Sequence, residues 1–260
     1  MVITLLSDFG DVYPASMKGV ILCIDPEANI VDISHSVRRH DIRAGAFILM
    51  ITAKYFPNGT AHIVVVDPGV GTKRRAIAVR AVSAEGKVQY FVGPDNGILI
   101  PAAKSLGDLE VFEISNCTLF QTRISNSFHG RDIFAPAGAY ISRGLNIEEV
   151  GRQISDFVSL DFGTGKKENA SLSGEVVFID SFGNMVTNIS SELVDFKIGD
   201  ELVIERKQIQ FNISYGFCEE DVPLLLIGSH GYLEIAVRGG DAAKLFMKNP
   251  GDEIIIEKRG

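Results

Sequence analysis

Two aspartates stand where an apolar run stops: Asp8 directly after VITLLS (residues 2–7) and Asp67 directly after AHIVVV (61–66). A carboxylate at the end of a buried strand can accept hydrogen bonds from a ligand's hydroxyls. Aspartate also shapes turns and caps helices, and the pair together argues for a ligand more than either does alone. Asp67 opens DPGVGTKRR (67–75), whose two glycines let the backbone approach a partner closely. The stretch is neither a phosphate-binding GxxxxGK[ST] loop nor GxGxxG. The guanidinium of Arg74 or of Arg75 is near enough in sequence to pair with Asp67, and such pairs are often structural when buried. SFHGRD (127–132) sets His129 at the opening of an expected helix, a place that attracts anions and where a histidine also serves as a cap.

The second half carries groups suited to a flat, polar-edged ligand. In DSFGN (180–184) the Asn184 amide offers a donor and an acceptor side by side, which matches a purine edge. Phe182 and Phe217 can stack on a base; the same residues also read as a hairpin turn with core phenylalanines. GSHG (228–231) followed by YLEIAV (232–237) is a second loop-then-strand of that type, and GPDNG (93–97) reads as a turn.

These side chains need a scaffold, and the hydropathy pattern supplies one. Strands are predicted at 2–7, 29–34, 62–66, 77–82, 88–92 and 109–114, and helices at 14–24, 41–55, 98–105 and 130–143, with a short helical tail at 147–153. Asp41 is placed to cap the second helix and Pro57 to stop the chain after it. Near-continuous apolar strands alternating with helices imply an α/β sheet covered on both faces. The character changes at the polar, glycine-containing DFGTGKKEN (161–169). Beyond it come short strands at 174–179, 201–205, 209–213, 224–227, 232–237 and 253–257, with one helix at 242–247, which suggests a small antiparallel barrel or sandwich. The expected domains are residues 1–160 and 173–260, joined by a linker at 161–172.

Composition narrows the partners. The 260 residues hold 25 basic and 33 acidic side chains, a net charge of -8, which leaves no excess of cations for a nucleic-acid backbone. With 46% hydrophobic and 22% charged residues the chain has ample core and is too apolar for disorder. Small molecules, cationic ones above all, are the expected ligands. Cys23, Cys117 and Cys218 are scattered, which fits neither a disulfide framework nor a structural zinc site. The first residues reach Asp8 without a basic leader, and no apolar run approaches a bilayer span, so a soluble cytoplasmic protein with no membrane partner is expected.

Taken in order, LSDFG (6–10), DPGVGT (67–72), GPDNG (93–97), FHGRD (128–132), FGN (182–184) and GYLEIA (231–236) resemble the S-adenosyl-L-methionine (SAM) hydroxide adenosyltransferases, hydrolytic relatives of fluorinase and chlorinase. The likeness runs from Ile3 to about Ile256. It implies an N-terminal α/β/α sandwich, a C-terminal antiparallel β-barrel, and a homotrimer whose sites lie between subunits. It implies that Asp67, Arg74 and His129 position a water or hydroxide, with Arg75 the alternative to Arg74. Asp8 corresponds to the carboxylate that grips a ribose diol, and Asn184 to an adenine-binding asparagine. Ser229, Glu234 and Val237 correspond to positions near adenine and methionine, and Tyr215 and Phe217 belong to the same set. SAM is then the substrate, attacked at C5′ to give adenosine and L-methionine, with no cofactor and no metal.

The halogenases have Tyr where this chain has Asp67, and fluorinase has an insertion where this chain has only residues 83–89. A carboxylate repels a halide and accepts a proton from water, so Asp67 favours water as nucleophile. His230 stands where fluorinase holds the methionine carboxylate with an arginine. The other readings are a halogenase, a non-catalytic binder of SAM or adenosine, and a metal hydrolase using Asp8 and Asp67.

Overall fold

The computed structural model describes residues 1–169 and 171–258. Ala170, within the expected linker, and Arg259 and Gly260, at the end of the expected barrel domain, lie outside the described residues. Two compact units divide the chain, residues 1–161 and 162–260. The stretch expected to be a linker holds a short strand and the beginning of another.

The first unit is a seven-stranded sheet in the order β2-β1-β3-β5-β4-β6-β7. Its strands are β1 (Val2–Ser7), β2 (Asn29–Ser34), β3 (Ala61–Val65), β4 (Ala76–Val82), β5 (Val88–Pro94), β6 (Asp108–Glu113) and β7 (Gln153–Ile154). β2, β1, β3 and β5 are parallel; β4, β6 and β7 add antiparallel neighbours. Strand β3 is buried at every residue, as its unbroken apolar run requires of a strand covered on both faces. Ile3, Leu5, Ile63 and Val65 share one face with helices α1 (Tyr13–Ile24) and α4 (Ala135–Ser142). Helices α2 (Ile42–Ala53) and α3 (Ile100–Leu106) pack on each other. Asp41 caps α2, its Oδ1 accepting from the Ala44 N–H at 2.9 Å.

Chain order reverses at β1: β2 pairs on one side and β3 on the other. A reversal of that kind leaves a crevice beyond the carboxyl ends of the strands. Ser7 and Val65 are register partners, so the loops that carry Asp8 and Asp67 leave adjacent strands at the same edge.

Where one helix is expected from Gly130 to Arg143, a π-helical segment (Gly130–Phe134) comes first and α4 follows. The expected helical tail at 147–153 is a single 3₁₀ turn (Ile147–Val150) followed by β7, because Gly151 ends it and Gln153 pairs with β6.

The second unit closes on itself. β9 (Ser171–Ile179), β10 (Met185–Ser190), β14 (Tyr232–Val237), β13 (Pro223–Ile227), β12 (Lys207–Phe211), β11 (Glu201–Ile204) and β15 (Glu253–Lys258) form a seven-stranded ring sealed by the β10–β9 pairing, with β8 (Lys166–Glu168) added to β9. A short helix, α5 (Ala242–Phe246), packs against β14. Every pair is antiparallel except β12–β13. Parallel neighbours cannot be joined by a tight hairpin. The connection from Asn212 to Val222 is long for this reason, and it carries Tyr215 and Phe217 on a 3₁₀ turn. Among the described residues no helix is long and apolar enough to cross a membrane.

Candidate active site

Asp67 follows β3, and its side chain is 4% exposed. A buried carboxylate needs a partner, and Arg74 supplies it edge-on. Arg74 Nε donates to Asp67 Oδ1 at 2.9 Å and to Oδ2 at 3.0 Å, and Nη2 also donates to Oδ2. The guanidinium lies 5.0 Å over the Phe134 ring, a platform that the sequence reading did not identify. Arg75, the alternative partner, turns to Asp95 (Nε to Oδ2, 2.9 Å) and Asp156 (Nη1 to Oδ1, 2.8 Å).

His129 immediately precedes the π-helical segment, an irregularity frequent at functional sites. Its Nδ1 is 3.1 Å from Arg74 Nη2. A guanidinium only donates, so Nδ1 accepts and the neutral ring carries its proton on Nε2. Burial, then the positive charge of Arg74, hold the His129 pKa below its ordinary value. Asp67, Arg74 and His129 are thus connected in a row through the guanidinium.

A cavity of about 30 Å³ adjoins this row, lined by Phe9, Val65, Asp67, Val70, Phe128 and His129 among others. That is room for a water-sized molecule. A larger hollow of about 320 Å³ shares Phe9 and Phe128 and adds Tyr13 and Arg131. Phe9, Tyr13 and Phe128 meet edge to face, with centroids 5.5 to 6.1 Å apart. Asp8 follows β1, and its Oδ2 accepts from the His40 N–H at 2.9 Å.

GPDNG is more than a turn. Asn96 Nδ2 donates to the Val66 carbonyl at 2.9 Å, next to Asp67, while Asp95 holds Arg75, next to Arg74. The motif therefore braces the backbone beside both members of the ion pair.

The barrel unit contains a separate pocket of about 490 Å³, lined by Asp180, Phe182, Asn184, Tyr215, Val237 and Arg238 with two glycines. The structure thus brings Asn184, Tyr215 and Val237 together. Asn184 Nδ2 donates to Asp180 Oδ2 at 2.9 Å, which orients the amide. Phe182 is 75% exposed, available for stacking and not part of the core. Phe217 and Ser229 are exposed and do not line the pocket. Glu234 is buried behind Tyr215, whose hydroxyl donates to its Oε1 at 2.5 Å. Burial and then that carboxylate push the Tyr215 pKa up, keeping the hydroxyl protonated.

Fold and site define a two-domain protein built to handle a small molecule: a reversing α/β sheet with a carboxylate–guanidinium–imidazole row at its carboxyl edge, and a barrel with an amide- and aromatic-lined pocket. The chain belongs to the SAM hydroxide adenosyltransferase family, whose N-terminal domain matches residues 3–151 and whose C-terminal domain matches residues 174–255. It is 34% identical to a protein named (R)-S-adenosyl-L-methionine hydrolase from Salinispora arenicola, over 98% of this chain and 97% of that one. A protein of the same name from Methanocaldococcus jannaschii is 35% identical over 98% of this chain and 95% of its own. The crystal structure of an uncharacterized conserved protein from Thermotoga maritima superposes with a TM-score of 0.89 at 37% identity, covering 99% of this chain and 100% of that one. Proteins named fluorinase match at 27–30% identity.

Proposed function

We propose that this protein hydrolyses S-adenosyl-L-methionine to adenosine and L-methionine. The observation that carries the reading is the Asp67–Arg74–His129 row beside a water-sized cavity of about 30 Å³. Relatives named for this hydrolysis, alike over nearly the whole chain, support it.

In the proposed reaction a water oxygen bonds to C5′ as the C5′–S bond breaks. The bonding pair returns to sulfur, so methionine leaves as a neutral thioether, and the water proton passes to Asp67 and on to solvent. The sulfonium is already a good leaving group, and the proposal calls for no cofactor or metal. What the site contributes is alignment, worth roughly 7–11 kcal/mol in favourable systems. Asp67 orients and deprotonates the water, Arg74 fixes the carboxylate edge-on, and neutral His129 donates from Nε2 as hydroxide character grows. Asp8 grips the ribose diol, and Asn184 reads the adenine edge from the barrel pocket. A homotrimer, which the family resemblance implies, is part of the proposal; light scattering in solution tests it.

The deciding experiment is chromatography of products after incubation with SAM, with and without chloride or fluoride. Adenosine and methionine, independent of halide, are expected. A halide-dependent 5′-halonucleoside would replace hydrolysis with halogenation, and binding without product would leave only a binder. Asp67→Ala must lose turnover; wild-type rates in that variant would remove Asp67 from the mechanism.

A further inference from the structure

We infer that His35 is a positioning residue for the site in the first unit. It locks the loop after β1 to the loop after β2, and so fixes where Asp8 presents its carboxylate, without touching the ligand itself. The inference rests on reading Asp8 as the carboxylate that grips a ribose diol.

Strands β1 and β2 do not keep one register to their ends. Leu5 partners Asp32 but Leu6 partners Ser34, so β2 carries one extra residue, Ile33, just before its loop. A bulge of this kind re-aims the chain that follows it. The two loops beyond are bound to each other. The Gly10 N–H donates to the His35 carbonyl at 2.9 Å, and the Val37 N–H to the Ser7 carbonyl at 3.4 Å. Val37 is buried, which seats the second loop. The His40 N–H donates to Asp8 Oδ2 at 2.9 Å. His40 reaches that place with φ +63°, a backbone conformation that costs a non-glycine residue energy.

His35 supplies the side-chain tie. Its Nδ1 lies 2.8 Å from Ser7 Oγ, and its buried Nε2 lies 3.1 Å from Asp32 Oδ1. The second contact is electrostatic, since Nε2 has no aligned hydrogen bond among the described residues. A carboxylate only accepts, so the contact is favourable when Nε2 carries the ring proton. Nδ1 of the neutral ring is then an acceptor, and the Ser7 hydroxyl donates to it. The Ser7 oxygen in turn accepts from the Phe9 N–H at 3.4 Å. Lys18 of α1 holds Asp32 from the other side, Nζ to Oδ2 at 2.5 Å.

Lys18, Asp32, His35 and Ser7 thus form one chain of contacts that ends at the residue before Asp8. Serine, imidazole and carboxylate in this order are also the parts of an activated nucleophile. Ser7 is 1% exposed, however, so its hydroxyl holds the loop and does not attack a ligand.

The test compares adenosine with 2′,3′-dideoxyadenosine by calorimetry in the wild type, Ser7→Ala, His35→Asn and His35→Gln. The wild type is expected to prefer adenosine by about tenfold or more, the scale of a hydrogen bond to a charged group. Ser7→Ala and His35→Gln should each cut that preference by about threefold or more, by weakening adenosine alone, because the diol is what Asp8 meets. An asparagine amide stands near the place of Nδ1, and a glutamine amide near that of Nε2. His35→Asn should therefore keep the preference that His35→Gln loses. The double variant Ser7→Ala/His35→Gln should lose no more than the worse single one, because both act through one bond. Equal weakening of both nucleosides would mean a merely structural role and overturns the inference. Loss in His35→Asn with retention in His35→Gln overturns it too, by moving the role to the Asp32 contact. Ser7→Ala removes only a hydroxyl, so it stays informative even if the His35 variants do not fold. A wild type that binds no adenosine, or binds both nucleosides equally, defeats the diol reading of Asp8 and this inference with it. A wild-type preference that survives in both Ser7→Ala and His35→Gln defeats the inference and leaves that reading standing. Adenosine formation from SAM by the wild type tests the hydrolysis separately.

Discussion

Arg74 presents its guanidinium edge to the Asp67 carboxylate, with Nε 2.9 Å from one oxygen and 3.0 Å from the other. Lysine cannot reproduce this two-point contact, because its ammonium is a point charge on a flexible stem. Arg74→Lys is therefore expected to lower kcat by about a hundredfold, comparable to losing one preorganised donor in an active site. Arg75→Lys should instead lower stability, since Arg75 serves Asp95 and Asp156. Steady-state kinetics and thermal melts of the two variants separate these effects. Equal kinetic losses in both would show that the adjacent arginines share the role.

His129 gives a pH signature. Its pKa is lowered, first by burial and then by Arg74, so the ring stays neutral until the pH falls below the ordinary 6.5. The acid limb of the rate profile assigned to His129 should accordingly lie below pH 6.5. Removing the nearby positive charge removes one of the two lowering causes. Arg74→Gln should raise the His129 pKa, as read by NMR titration of the ring protons whether or not the variant turns over. An unchanged titration would show that burial alone sets it.

The loop that supplies Arg74 rests on the loop that leads to His129. Gly71 has φ +76°, and a Cβ there would fall 2.3 Å from the Asn126 carbonyl oxygen. Gly71→Ala then combines backbone strain with a clash against main chain, a cost of about 1–3 kcal/mol. A lower melting temperature with reduced kcat is expected. Loss of stability without loss of kcat would mean that the two loops do not set each other's position.

How much of this was legible depended on whether a residue's role is local. The Asp41 cap and the HIVVV strand follow from nearest neighbours, and both are present. Strand β10 escaped the prediction because its MVTNIS run reads as half polar. Thr187 and Asn188 are nevertheless buried, their side chains donating to the carbonyls of Leu233 and Phe162, partners far away in sequence. The choice between Arg74 and Arg75 was open for a related reason. Neighbours in extended chain point opposite ways, and only the sheet decides which one meets Asp67. Glu234 was picked out by motif, yet its link to Tyr215 depends on the parallel β12–β13 pair, and strand direction leaves no trace in hydropathy.

The buried His62 yields a stability prediction independent of the reaction. It lies in β3 with no exposure, stacked on Phe91 at 4.9 Å. Gln89 Nε2 donates to the Ala53 and Phe56 carbonyls, so its Oε1 is the atom that faces His62 Nε2 at 3.3 Å. Nε2 therefore carries the proton, and Nδ1 accepts from the Thr4 hydroxyl at 2.7 Å. Burial pulls the His62 pKa down from 6.5 to about 4. Below pH 6.5 the unfolded chain takes up a proton that the folded chain refuses, so stability falls as pH falls and levels off near pH 4. A shift of that size corresponds to about 3 kcal/mol. Denaturant unfolding at several pH values should show this slope in the wild type and lose it in His62→Gln, whatever that variant's absolute stability. An identical slope in both proteins would assign the acid sensitivity to other groups.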